Sequence, residues 1–258
     1  MTPSTPKTWL YLAKETQGGV VLYRKSHLTT YVLKLTMKDR LVKGSRFYGR
    51  LFPGECSISP DGKLFSYVAM GGQKTDGKWQ TKTWAAVCTP PRLAAHVFAP
   101  KSSSLGMGAL FLSGGRLAVL DSKAELRDPN AIRPYTMIAG VERLSVDERE
   151  RFKSLVRPPA ETELTSPLAD REHGLPILWR SRRKRGTGYS MFGYRLCWPD
   201  GSHIEGADDI MRCDWAGWDC AGRLLIASGR FITIFVVSPR KPLGKPMLTL
   251  DIEDAIAV

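Results

Sequence analysis

Residues 56–69, CSISPDGKLFSYVA, decide how the rest of this chain is read. Ser57-Ile58-Ser59 alternates and then meets Pro60-Asp61-Gly62, in which proline presets φ and glycine supplies the positive φ of a tight reversal. From Lys63 onward, Leu64, Phe65, Tyr67, Val68 and Ala69 form a short, mostly apolar run that Gly71-Gly72 closes. Aromatic and branched side chains suit a pleated, half-buried surface, so the stretch reads as a β-hairpin.

The same grammar, a glycine opening an apolar strand, recurs at Gly19 (GVVLYRKS), Gly115 (GRLAVLDS), Gly174 (GLPILWRS) and Gly222 (GRLLIASG). With Gly62 included, the glycines are spaced by 43, 53, 59 and 48 residues. Further strands are expected after four of them, at 29–35, 83–89, 190–198 and 231–238, and before three of them, at 9–13, 56–59 and 109–112. One such unit cannot bury its own faces. The expected fold is therefore all-β, a β-propeller of about five small antiparallel blades over residues 8–252, starting on an inner strand at 9–13 and finishing on an outer one at 247–252. Short strands at regular spacing also suit a β-sandwich, which is the alternative.

Ser59-Pro60-Asp61-Gly62-Lys63 before an apolar strand resembles the SPDGK turn of WD-repeat propellers and of TolB-like propeller repeats. Ser166-Pro167 and residues 219–223 (DCAGR) are degenerate echoes, and no unit carries the Trp-Asp dipeptide with its upstream Gly-His. The resemblance implies a propeller-type interaction platform and assigns no site.

At 258 residues, 43% hydrophobic and 24% charged, the composition is that of an ordinary globular domain. The opening 15 residues hold an apolar core only at 9–13, and no later run approaches a membrane span, so a soluble, cytoplasmic protein is expected. Five cysteines without a regular framework fit free thiols in a reducing compartment. The net charge of +13 favours nucleic acid, an anionic membrane surface or an acidic protein as partner, or serves solubility alone.

Two stretches are candidate binding elements. Residues 71–82 (GGQKTDGKWQTK) read as a polar hairpin loop with Trp79 at its tip, either folded over its own hairpin or presented to a partner. Arg180, Arg182, Arg183, Lys184 and Arg185 precede Tyr189, Phe192 and Tyr194. Such cations track a phosphate backbone while rings stack on bases, or they are a solvated turn. Lys34, Lys38, Arg40, Lys43, Arg46 and Arg50 make the first unit basic, and on an outer strand their expected role is to block edge-to-edge pairing. Residues 123–168 are expected as an insertion with a helix at 145–156, opened by a capping box in which Ser145 faces Glu148.

His27, His96, His173 and His203 are scattered, and a nucleophile elbow, a P-loop and a dinucleotide fingerprint are all missing. Cys197, His203, Cys213 and Cys220 lack the short chelating loops of a structural zinc site, so no metal and no cofactor are expected. Cys213 is expected instead in the innermost strand of its unit as a small apolar residue, as Cys56 is in the second. The leading expectation is a non-enzymatic platform meeting a protein partner through loops on one face. Nucleic-acid binding through 180–185 is the second, and an axial hydrolase or lyase, with Asp61, Asp214 and Asp219 as acids to inspect, is the third.

Overall fold

The computed structural model describes residues 5–75, 78–101, 108–150, 161–168, 174–183 and 191–257. Alternating apolar residues separated by glycine-bearing turns give five open sheets. The first is an antiparallel meander of β1 (Lys7–Leu12), β2 (Gly19–Ser26), β3 (Thr29–Leu35) and β4 (Leu41–Tyr48). The second is built from β5 (Arg50–Leu51), β6 (Ser57–Ile58), β7 (Phe65–Thr75), β8 (Lys78–Cys88) and β9 (Ala95–Lys101). The third begins with β10 (Ala109–Leu112) and β11 (Arg116–Val119). The chain then returns to the second sheet as β12 (Glu125–Leu126), antiparallel to β9, before β13 (Thr136–Ala139) joins the third sheet parallel to β11. A helix, α1, starts at 146–150. The fourth sheet is β14 (Glu161–Leu164), β15 (Ile177–Arg183) and β16 (Met191–Cys197). The fifth is β17 (Trp215–Trp218), β18 (Leu224–Ser228), β19 (Phe231–Phe235) and β20 (Leu248–Asp251), followed by α2 (Ile252–Ala257).

Period-two alternation decides how the sheets pack, because neighbouring residues on a strand face opposite sides. In β2, Val21 and Tyr23 point into a cluster with Leu225, Ala227, Ile232 and Ile234 of the fifth sheet. Val20 and Leu22 point the other way, into a cluster with Phe65, Tyr67, Ala69 and Cys88 of the second sheet. The second sheet uses its other face, Leu64, Val68, Ala85 and Val87, against Phe111, Leu117 and Val119 of the third. The fifth sheet turns Leu224 and Ile226 toward Leu178 and Leu196 of the fourth. The first, second and fifth sheets are thus each buried on both faces, at about 1.5–3 kcal/mol for each fully buried large apolar side chain.

The SPDGK turn holds itself. Ser59 N–H donates to the Leu64 carbonyl at 2.9 Å, Gly62 N–H to the Ser59 carbonyl at 2.9 Å and Leu64 N–H to Ser59 Oγ at 2.9 Å, while Asp61 Oδ1 accepts from Ser59 Oγ and Lys63 N–H. Gly62 sits at φ +73°, which a Cβ would strain. Residues 219–223 repeat the pattern: Gly222 N–H donates to the Asp219 carbonyl, and Asp219 Oδ1 replaces the serine hydroxyl in accepting from Arg223 N–H at 2.9 Å. A further PDG turn, Pro199-Asp200-Gly201, went unread in the sequence. It reverses the chain after β16, with Asp200 Oδ1 accepting from Ser202 N–H at 2.8 Å, so that Cys197 bridges His203. Asp61, Asp200 and Asp219 therefore all serve turns.

First and last sheets are laced together. Thr8 Oγ1 donates to the Gly229 carbonyl at 2.6 Å, and Asp214 Oδ2 accepts from Gly229 N–H at 2.9 Å and Thr8 N–H at 3.3 Å. Burial pushes the Asp214 carboxyl above its usual range, against the lowering effect of these two donors. On α2, Glu253 accepts from Tyr23 Oη at 2.5 Å and from Lys25 Nζ at 2.7 Å. The hydrogen bond from Lys25, then that from Tyr23, holds the Glu253 carboxyl below its ordinary value. A depressed folded pKa stabilises above the unfolded pKa and ceases to do so as pH falls through the folded one. Glu253→Gln is accordingly expected to cost about 0.5–1 kcal/mol at neutral pH and almost nothing near pH 3, read by urea unfolding at both. An equal cost at both pH values would assign the loss to packing.

Two expectations are corrected. Residues 71–75 and 78–82 are strand and not loop: β7 and β8 continue as a paired ribbon with Gly71 opposite Lys82. Trp79 lies on β8 opposite Lys74 and not at a tip. Residues 123–168 supply β12, β13 and β14 to three sheets. The helix at their centre does open as expected, with Ser145 N–H donating to Glu148 Oε2 at 3.0 Å and Glu148 N–H to Ser145 Oγ at 3.2 Å; residues 151–156 lie outside the described ones.

Candidate polyanion-binding face

Charge is unevenly placed along the fold. Residues 16–101, most of the first two sheets, carry 14 Lys and Arg against 4 Asp and Glu, a net of +10 out of the chain's +13. Residues 213–258, the fifth sheet and α2, carry 5 of each sign and cancel. Lys34, Lys38, Lys43, Arg46 and Arg92 are exposed, and none forms an ion pair with a described acid.

β4 is the outer strand of the first sheet and the centre of this face. Its register with β3 sets Lys43 opposite Leu33 and Arg46 opposite Tyr31, with a bulge between. The Arg46 guanidinium lies 5.7 Å from the Tyr31 ring centre and 4.5 Å from that of Tyr48, within cation–π range of both. Among the described residues, four of the ten exposed large hydrophobic side chains, Leu28, Met37, Val42 and Tyr48, belong to this one sheet, so its rim is both cationic and partly apolar.

Where β4 meets the connection from β8 to β9, the two sheets border an open groove of about 610 Å³ lined by Lys43, Gly44, Ser45 and residues 91–94. Two hydrogen bonds fix it. Ser45 N–H donates to the Pro91 carbonyl at 3.0 Å, and Leu93 N–H donates to Ser45 Oγ at 3.0 Å. Glycine is required at 44, because a Cβ there would stand 2.2 Å from the Pro91 carbonyl oxygen. Lys43 and Arg92 are the cations of the groove.

Of the residues singled out in the sequence, Arg180 lies on β15 with its guanidinium 4.6 Å from the Phe192 ring centre, and its Nε is buried without a hydrogen-bond partner. Arg182 and Arg183 sit on β15 opposite Phe192 and Met191, while Lys184 and Arg185 lie outside the described residues. The charge-balanced fifth sheet shares one apolar cluster with the fourth sheet and another with the first. The basic first unit had been assigned only an edge-blocking role. The sequence signal that would have promoted it is the near absence of acids from 16 to 54, where Asp39 stands alone.

No protein-family model and no curated protein matches this chain. Function is therefore argued from geometry and charge.

The three acids named for inspection are all hydrogen-bonded. Asp61 and Asp219 are committed to their turns and Asp214 to the seam between first and last sheets. Among the described residues no group of three His, Cys, Asp or Glu side chains is placed to hold a metal ion, and all five cysteines are free thiols. Cys56 precedes β6 and Cys213 precedes β17, and both are buried in apolar clusters; burial pushes the Cys56 thiol up to about 12. No helix among the described residues is long and apolar enough to cross a membrane.

Proposed function

We propose that this chain is a non-enzymatic interaction platform of the β-propeller type that meets a polyanionic macromolecule on the face formed by its first two sheets. The observation that carries the binding half is the concentration of +10 of the net charge on two sheets packed against each other. Potentials of that sign steer acidic partners and hold them by counterion release. The propeller half is supported by three sheets buried on both faces and by a first sheet tied to the last through Thr8, Asp214 and Gly229. Two stacked sheets would each bury only one face. The resemblance of residues 59–63 to propeller turns agrees with this arrangement.

The test compares two variants for binding to labelled heparin at several salt concentrations: Arg40, Lys43, Arg46 and Arg92 changed to serine, and Arg182, Arg183, Lys184 and Arg185 changed to serine. Wild type is expected to bind with an affinity that falls as salt rises. The first variant should lose most of that dependence and the second should retain it. The reverse order would move the site to the β15–β16 hairpin, and absence of binding at low salt would end the polyanion proposal.

A further inference from the structure

We infer that the polyanion is a single-stranded nucleic acid, with a base stacked on Tyr48 and phosphates drawn along Lys43, Arg46 and Arg92; this rests on the preceding proposal that the first two sheets form the polyanion-binding face. Strand register puts Lys43, Arg46 and Tyr48 on one face of β4, opposite Leu33, Tyr31 and Thr29. From Lys43 to Tyr48 the strand rises about 17 Å, enough to follow an extended backbone over more than one nucleotide. Arg46 is held against Tyr31 and Tyr48, yet Tyr48 remains 64% exposed. A tyrosine kept in water beside a fixed guanidinium is a stacking platform, and stacking needs a flat partner. Heparin has no π-face, and a duplex keeps its bases inside the helix. Of these three polyanions a single strand alone offers both a phosphate for each cation and a free ring for Tyr48. The groove at the Lys43 end of β4 is pre-formed, because the hydrogen bonds of Ser45 with Pro91 and Leu93 set the spacing of the Lys43 and Arg92 backbones before any ligand arrives.

The experiment titrates the full chain with labelled single-stranded DNA and RNA, a duplex of the same sequence, and heparin, over a range of salt. Tyr48→Ala, Tyr48→Phe and a Lys43→Ser, Arg46→Ser, Arg92→Ser triple variant are run beside wild type. Single strands are expected to bind most tightly, with a log-affinity slope of about −0.7 per phosphate contact. Tyr48→Ala should weaken single-strand binding about tenfold or more while leaving duplex and heparin affinities unchanged, and Tyr48→Phe should restore it. The triple variant should lose all three ligands. If single strands bind no better than heparin, or Tyr48→Ala is silent while the triple variant abolishes binding, the nucleic-acid inference falls and the general polyanion face stands. If no ligand binds at low salt, both fall together.

Discussion

Arg223→Ala is expected to lower the free energy of unfolding by about 3 kcal/mol, one of the two largest losses for a single change in this chain. Its guanidinium ties two turns, its own at 219–223 and the one that holds Asp39. Nε donates to Asp219 Oδ2 at 2.7 Å, Nη1 to Asp39 Oδ2 at 2.6 Å and Nη2 to Asp39 Oδ1 at 3.0 Å. The three side chains are 14%, 1% and 17% exposed for Arg223, Asp219 and Asp39, so one cation satisfies two largely dehydrated carboxylates. Deleting it strands a buried charge, which costs more than the pair itself contributes. The hydrogen bonds it donates to Asp39 above all raise the guanidinium's pKa further, so the cation persists through the working pH range. The loss should be the same at pH 6 and pH 8. Asp39→Asn in the Arg223→Ala background should recover part of it, by relieving one of two unpaired acids. A urea midpoint within experimental error of wild type would show that the triad is solvated and dispensable. Functionally, Asp39 lies in the turn from which β4 departs, so the triad anchors the basic edge strand to the far end of the chain.

How much of this was legible beforehand follows from where the physics is local. Strand runs at 19–26, 29–35, 109–112 and 231–235 announce themselves because alternation and turn glycines act within a few residues. Gly62 and Gly222 mark reversals that the chain makes with its own backbone. β14, ETEL, was missed because only Thr162 and Leu164 face inward, and a four-residue strand with two glutamates carries no apolar signal. β13 was missed for a different reason: it pairs parallel with β11, across a connection that contributes β12 to another sheet, and such pairing is set by tertiary packing alone. The candidate face was half legible. Its lysines and arginines were counted, but the stacking of Arg46 between Tyr31 and Tyr48 depends on a bulge in β4 that residue spacing does not reveal. The groove depends on Pro91 approaching Gly44 from a different sheet, 47 positions away.

Phe65→Ala is expected to cost about 3–5 kcal/mol, the range for truncating a buried phenylalanine that its surroundings cannot close over. Phe65 is 0% exposed at the start of β7, in the cluster shared by the first two sheets. Tyr11 of the first sheet meets its ring edge-on at 5.3 Å between centres, and Tyr67 stacks at 6.3 Å, so removal loses aromatic contacts as well as area. The surroundings are held from moving in. Tyr11 is anchored by its hydroxyl to the Pro53 carbonyl at 2.5 Å, and β7 is paired on both sides at Phe65, with Ile58 and with Cys88. Phe65→Leu should cost markedly less, and Phe231→Ala, at a site 42% exposed, about 1 kcal/mol or under. Urea unfolding should show a lower midpoint at unchanged slope if the sheets unfold as one unit. A reduced slope would mean that the second sheet opens separately from the rest. That outcome bears on the binding face directly, because Lys43 belongs to the first sheet and Arg92 to the second: loosening the seam at Phe65 would let the two walls of the groove part and weaken polyanion binding without touching a single cation.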